Sequence, residues 1–351
     1  MKEIFSPNGV QALLLWYQQN KRDLPWRHTS DPYRIWISEI MLQQTRVEAV
    51  KPYYARFLEA APDVKSLAEL PEEKLMKLWE GLGYYSRARN LQKAARVVVK
   101  DHGGVMPKTY EELLKLPGIG EYTAGAIASI AYGIRVPAID GNVLRVLARV
   151  SGSKSDIALP ETKKEFRQAL EGVVPPEAGD FTQSLIELGA TVCAPNREPM
   201  CEACPLCEDC IAYSEGKTSE IPVRSPKKPR RIEERTVFII RDGDRTALRK
   251  RPPKGLLSGL YELPNIEGHL SEGEALEHLR ALGFEPLRIQ KIENAKHIFT
   301  HIEWHMIAYD VRITPEFDGL HGKSGMLIVP NGELHQKYAI PSAFGAYVKY
   351  L

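Results

Sequence analysis

Beyond residues 193–210 this 351-residue chain has no cysteine; all five of its cysteines fall inside that stretch, as Cys193, Cys201, Cys204, Cys207 and Cys210. A disulfide scaffold spreads its cysteines through a small secreted chain, so that organisation is excluded. Nor is there a run of about 18 apolar residues, which leaves no candidate for a transmembrane helix. The opening MKEIFSPNGVQALLLWYQQNKRD lacks a small-residue cleavage site, and acidic and amide side chains interrupt its apolar stretch. It reads as an amphipathic helix and not as a signal peptide. Clustered thiols without an export signal place the chain in a reducing cytosol. Neither charge sign dominates: 47 Lys and Arg face 45 Asp and Glu, for a net charge of +2. That balance neither demands nor forbids a nucleic-acid partner, because local arrangement and backbone donors can outweigh the total.

The length favours more than one domain. Up to about residue 213 no strand-like alternation occurs. Segments such as YRIWISEIMLQQ, KLMKLWEGLG, ARNLQKAARVVVKDH, YTAGAIASIAYG, NVLRVLARV and FTQSLIELGATV place apolar residues at i, i+3 and i+4, which predicts an all-α domain over 1–213. SEGKTSEIPVRSPKKPRRIEER is polar, basic and broken by proline, and reads as a linker over 214–232. Beyond it, RTVFIIRDGDRTALRKR reads as two strands joined at Gly243, AKHIFTHIEWHMIAYDVRI as two more, and SEGEALEHLRALG as a helix between the pairs. The region 233–351 is therefore expected to be α+β.

Three segments of the helical half carry chemistry. In LKLPGIGEYTAGAIASIA (114–131), a Pro-Gly-Ile-Gly turn joins two helices. Gly118 and Gly120 can adopt backbone conformations closed to other residues. They leave N–H groups at the start of the second helix free for a phosphate, so this helix–hairpin–helix can grip a DNA backbone without base preference. A plain αα-corner would use the same glycines for close packing. In VPAIDGNVLRVLAR (136–149), Asp140 stands at the start of a helix as an N-cap, where backbone N–H groups and the helix dipole favour its ionised form. Such an anion could steady a cationic transition state. In PYRIWISEIMLQQT (32–45), Glu39 is the one carboxylate on a helix apolar nearly all round. Burial there should raise its pKa and suit it to general-acid work, unless a buried arginine neutralises it. Gln43, Gln44 and Thr45 follow, with amides able to reach into a duplex or simply to cap the helix. An acid kept protonated and a second carboxylate kept charged form the pairing used on glycosidic bonds. The cysteines, spaced C-x7-C-x2-C-x2-C-x2-C, form a thiolate cage whose spacing does not choose between zinc and an iron–sulfur cluster.

Together these segments resemble the helix–hairpin–helix DNA glycosylases, and specifically the MutY-type adenine DNA glycosylase family. The resemblance runs over essentially the whole chain: LPWR (24–27), WISEIMLQQT (36–45), GLGYYSRARNL (81–91), LPGIGEYTAG (116–125), IDGNVLRVLAR (139–149), FTQSLIELGA (181–190), the cysteines, and RPPKGLLSGLYELP (251–264). It implies excision of adenine mispaired with 8-oxoguanine or guanine in double-stranded DNA, by a cytoplasmic, nucleoid-associated monomer with no membrane partner. By position, Glu39 would protonate adenine at N7, Asp140 would stabilise the oxocarbenium-like sugar, and Asn142 would help orient it. Tyr122 stands where bifunctional relatives carry a Schiff-base lysine, which implies a monofunctional enzyme. Arg27 and Gln183 would line the adenine pocket. Leu42, Gln44 and Tyr84 would wedge into the duplex, and Thr45 would lie near the 8-oxoguanine.

The resemblance further implies that Cys193, Cys201, Cys204 and Cys210 hold one [4Fe–4S] cluster, with zinc as the alternative. The first gap is one residue longer than the family's, which should bulge the APNREPM loop, and Cys207 is an additional thiol. The C-terminal region resembles a Nudix-like domain without the carboxylate-rich helix that holds magnesium, so it implies a lesion-recognition module and not a pyrophosphate hydrolase. Phe299, Thr300 and His301 match the family's Phe-Ser-His loop for 8-oxoguanine, the hydroxyl being retained in Thr300. Two further readings remain in play: an endonuclease III-like glycosylase and lyase acting on oxidised pyrimidines, and a catalytically silent binder of DNA lesions.

Overall fold

The computed structural model describes residues 4–226, 228–314 and 325–351. Helices α1 (Pro7–Asn20), α2 (Pro32–Leu42), α3 (Val47–Ala60), α4 (Val64–Glu69), α5 (Glu72–Leu78), α6 (Ser86–Asp101), α7 (Tyr110–Leu114) and α8 (Glu121–Tyr132) come first. They are followed by α9 (Gly141–Val150), α10 (Pro160–Glu171), α11 (Ala178–Thr191) and the short α12 (Ile211–Ser214). Strands β1 (Arg231–Asp242), β2 (Arg245–Lys250), β3 (Tyr261–Glu262) and β4 (Asn265–Glu267) then precede α13 (Glu272–Ala281). The chain closes with β5 (Pro286–Ile298), β6 (Ile302–Ile313), β7 (Met326–Pro330) and α14 (Asn331–Lys337). It divides into two compact units, one of Met1–Glu69 with Arg89–Pro226, the other of Leu70–Ala88 with Lys227–Leu351. Among the described residues, no helix is long and apolar enough to cross a membrane.

The first unit is all-α. Its helices start where the sequence supplies caps: the Ser6 side chain accepts from the N–H of Gly9, Asp31 from Tyr33, and Thr109 from Glu112. One face of α9 and α11 meets α1 and α10 around Leu13, Val143, Val146, Leu147, Phe166, Leu185 and Leu188, all buried. Burying each such side chain contributes roughly 1.5–3 kcal/mol relative to exposure. Helix α8 is so densely lined with small residues that an added Cβ on Gly125 would lie 2.4 Å from the Pro137 carbonyl oxygen. Close approach of the 137–138 backbone sets where the following Asp140 can stand.

The second unit builds a mixed seven-stranded sheet ordered β3-β2-β1-β6-β5, with β4 added on β1 and β7 on β2. β1 and β6 run parallel while the other pairs are antiparallel. The predicted turn at Gly243 is a two-residue hairpin, with Asp242 opposite Arg245 and Gly243 at φ +58°. Alternation along β1 and β6 sends Val237, Ile239, Trp304, Met306 and Ala308 to one core. Phe238, Ile240, Ile307, Tyr309 and Val311 go to the other, under α13. That helix starts with a capping box in which Glu274 is consumed by Ser271. Among the described residues, no group of three His, Cys, Asp or Glu side chains is placed to hold a single metal ion.

Candidate active site

Helix α2 lies against α8, and that contact brings two residues 83 positions apart into register. Glu39, on the inward face of α2, is 7% exposed. Its carboxylate accepts a hydrogen bond of 2.5 Å from the Tyr122 hydroxyl at the first turn of α8. Burial pushes the Glu39 pKa up to about 7, the Tyr122 bond opposes this, Asp140 adds to the rise and Arg27 reduces it. Glu39 thus takes the state expected of it, and by desolvation. The buried arginine that could have neutralised it is engaged elsewhere. Arg27, whose side chain is 8% exposed, donates at 2.7 Å to the carboxylate of Glu187 on α11.

Asp140 caps α9 as expected. Its Oδ1 accepts from the N–H groups of Asn142 and Val143, both at 2.8 Å, and its Oδ2 from the Asn142 amide at 2.8 Å. The direction of its pKa differs from the expectation, because burial raises it and outweighs the three hydrogen bonds and the nearby Arg145. The cap position is readable from the sequence; how deeply the carboxylate is enclosed by other helices is not. Asn142 is held in turn, its side-chain Oδ1 accepting at 3.0 Å from Arg145. Arg145 also donates to the Gly189 carbonyl at 2.6 Å and to the Cys193 carbonyl at 2.8 Å. Arg149, one turn on, reaches the Cys193 sulfur at 3.2 Å and the Ile221 carbonyl at 2.8 Å. A continuous run of hydrogen bonds therefore joins Asp140 to the first cysteine. A protonatable acid, a capped carboxylate and a phenol within mutual electrostatic reach can protonate a leaving base and stabilise a cationic sugar.

Glu187 escapes sequence reasoning. It is fully buried and accepts from the Nε, Nη2 and backbone N–H of Arg22 as well as from Arg27. Burial would raise its pKa, but these bonds overcome it and bring the value down to about 2. Its only sequence signal is a lone carboxylate in the apolar run FTQSLIELGATV. Gln183, one turn before it on α11, is half-buried.

The hairpin has the turn its glycines predict. Gly118 takes φ +77°, and an added Cβ would lie 2.6 Å from the Asn90 Cβ, while Gly120 is the extended N-cap of α8. At the end of α2, Leu42 and Thr45 are half-buried, and Gln44 is exposed with φ +61°, a conformation uncommon for a side-chain-bearing residue. Tyr84 is 48% exposed with φ +47°. Phe299, Thr300 and His301 form the turn between β5 and β6 and not a strand edge. Thr300 and His301 are exposed, and the Thr300 hydroxyl lies 2.9 Å from that of Tyr84. Phe299 packs edge-on against Trp304 at 4.9 Å.

All five cysteines line one cavity with Val146, Arg149, Val150, Leu188 and Val192. In the loop between Cys193 and Cys201, Asn196 takes φ +58° and Arg197 donates to the Thr191 carbonyl. The cysteine-bearing segment is also clasped from outside, Asp209 accepting from the N–H and hydroxyl of Ser6 at 3.0 Å.

Residues 37–176 match the HhH-GPD superfamily of base excision DNA repair proteins, and residues 236–350 match the NUDIX domain. The chain is 37% identical to adenine DNA glycosylase of Mus musculus over 86% of its own length and 70% of that protein's. Against the adenine DNA glycosylase of Buchnera aphidicola from Acyrthosiphon pisum, identity is 34% over 89% of this chain and 87% of the other. Among solved structures, a thermostable thymine-DNA glycosylase superposes with a TM-score of 0.54 at 34% identity, covering 59% of this chain and 95% of that one. A trapped endonuclease III–DNA intermediate gives 0.50 at 24% identity, covering 59% and 94%, which shows the shared fold.

Proposed function

We propose that this chain, which belongs to the adenine DNA glycosylase family of base excision repair, removes adenine paired with 8-oxoguanine or guanine in double-stranded DNA. It does so as a monofunctional hydrolase that leaves the strand uncut, and it works as a monomer. The observation that carries this reading is Glu39, buried, half-protonated near neutral pH and held by the Tyr122 hydroxyl beside Asp140. Glu39 delivers its proton to N7 of the extruded adenine, which makes the base a neutral leaving group. Asp140, fixed by Asn142 and the α9 N-terminus, balances the positive charge that develops on the deoxyribose. Tyr122 offers no amine for a Schiff base, so water completes the reaction. Arg27, oriented by Glu187, and Gln183 line the adenine pocket.

Gly118 and Gly120 present the N-terminus of α8 to a phosphate. Leu42, Gln44 and Tyr84 fill the stack left by the extruded base, whose removal costs a few kcal/mol and least at a mismatch. Thr45, with Phe299, Thr300 and His301, reads the base opposite. Along the sequence, 1–213 form the glycosylase domain, 214–232 the linker and 233–351 the lesion-recognition domain; the fold departs from these bounds in grouping 70–88 with the second unit and 214–226 with the first, and in starting β1 at Arg231. Cys193, Cys201, Cys204 and Cys210 hold one [4Fe–4S] cluster. Soft thiol donors drawn around one cavity suit such a cluster, with a single zinc ion as the alternative. The cluster, when bound, braces the loop that follows α11.

A duplex with adenine opposite 8-oxoguanine tests the reading. Incubation should release free adenine and give strand scission only after alkali. Scission without alkali would instead establish lyase chemistry, and tight binding with no abasic site a silent lesion binder.

A further inference from the structure

Helix α5 and the turn after it, residues 70–88, belong to the same compact unit as the Nudix-like sheet. Three carboxylate or ammonium groups on this segment make the attachment. Glu73 accepts from the Tyr261 hydroxyl at 3.0 Å and faces Lys250. Glu80 accepts the backbone N–H of Ile340 at 2.7 Å through one oxygen and pairs with Lys77 at 2.5 Å through the other. Lys77 in turn donates to the Tyr338 carbonyl at 3.2 Å. Both partners are largely withdrawn from water, with side chains 24% and 30% exposed, so the pair is less screened than a surface ion pair.

Immediately after Glu80 the chain enters a stiff turn. Gly81, Gly83 and Tyr84 all have positive φ, at +95°, +69° and +47°. The Trp79 indole donates to the Gly83 carbonyl at 3.1 Å, and Arg87 donates to the Leu82 and Gly83 carbonyls at 2.8 and 3.0 Å. The Arg87 guanidinium also lies over the Trp79 and Tyr84 rings. These contacts lead from Glu80 to Tyr84, whose hydroxyl meets that of Thr300.

We propose that Glu80 and Lys77, anchored on the 338–340 backbone, form a clamp that sets Tyr84 against Thr300, so that Glu80 is a positioning residue for discrimination of the base opposite adenine. The clamp rests on the reading of Tyr84 and Thr300 as lesion-facing. The contacts named above lie within one unit, so Tyr84 and the lesion loop travel together as a single reader. Losing the clamp frees the Tyr84 hydroxyl from Thr300 and blurs the reader without touching the carboxyls that do the chemistry.

The test is the ratio of single-turnover adenine release opposite 8-oxoguanine to that opposite guanine, measured for the full chain and for Glu80→Ala, Glu80→Gln and Lys77→Met. The ratio should fall about tenfold in Glu80→Ala, the scale of one well-placed hydrogen bond. Glu80→Gln, which keeps an acceptor for the Ile340 N–H, should recover most of it, and Lys77→Met should fall between them. Damage that is merely structural would slow both substrates together and leave the ratio intact. An unchanged ratio in Glu80→Ala, or a Glu80→Gln ratio no better than that of Glu80→Ala, would overturn the clamp. If the parent chain itself showed no preference, the lesion-facing reading would fall, a result distinct from failure of the clamp alone.

Discussion

At the scale of single residues, the site turns on what burial does to two carboxylates. For Glu39, desolvation wins over a short hydrogen bond. The folded chain then binds a proton that the unfolded chain has released between pH 4.5 and about 7. Its contribution to stability is complete below the unfolded value and is lost as pH rises through about 7. Above that pH the enzyme carries a buried charge, at a cost on the order of 3 kcal/mol for a shift of this size. Glu39→Gln removes that charge. It should abolish adenine release, bind mismatched duplex as the parent does, and melt higher than the parent at pH 8.5 but not at pH 5. Equal melting temperatures at both values would show that Glu39 is not desolvated as described. Asp140 teaches a limit: its place just before an apolar-periodic helix is enough to predict a cap, yet not the sign of its pKa, since enclosure by neighbouring helices cannot be read one segment at a time.

At the scale of elements, legibility followed sequence distance. The hairpin could be read because its turn, its glycines and both of its helices lie within 114–131. The C-terminal hairpins could be read because alternation and a Gly turn are local signals. Glu187 could not, because its partners Arg22 and Arg27 are 165 and 160 residues away. Arg145 and Arg149 were equally hidden, because the groups they join, the α9 N-terminus and the cysteine loop, are far apart in sequence. One glycine joins this network to the acid-bearing pair of helices. Because an added Cβ on Gly125 meets the backbone at Pro137 and not a movable side chain, Gly125→Ala should push the 137–140 segment off α8. The expected result is a loss of about 1–3 kcal/mol of stability, with a fall in adenine release larger than the fall in duplex affinity. Unaltered turnover would mean that the placement of Asp140 tolerates movement of its leading segment.

At the scale of the whole molecule, a helical unit carrying the carboxyls is combined with a sheet that packs under helix α13. Glu274, a metal ligand by side-chain type, caps α13 instead, and the β5–β6 turn presents Thr300 to the outside. Thr300→Ala should therefore lower preference for 8-oxoguanine over guanine by roughly tenfold, the loss of one hydrogen bond, while adenine opposite guanine is processed at the parental rate. An unaltered preference would remove this turn from lesion reading.

All of the proposed chemistry starts from a proton stored on Glu39. That proton is tested most directly by the single-turnover rate of adenine release from a duplex with adenine opposite 8-oxoguanine, followed across pH at saturating enzyme. Above about pH 7 the rate should fall tenfold for each further unit, and on the acid side it should fall again as Asp140, whose pKa burial raises, loses its charge. A rate that stays level to pH 9, or one that rises through neutrality, would contradict it.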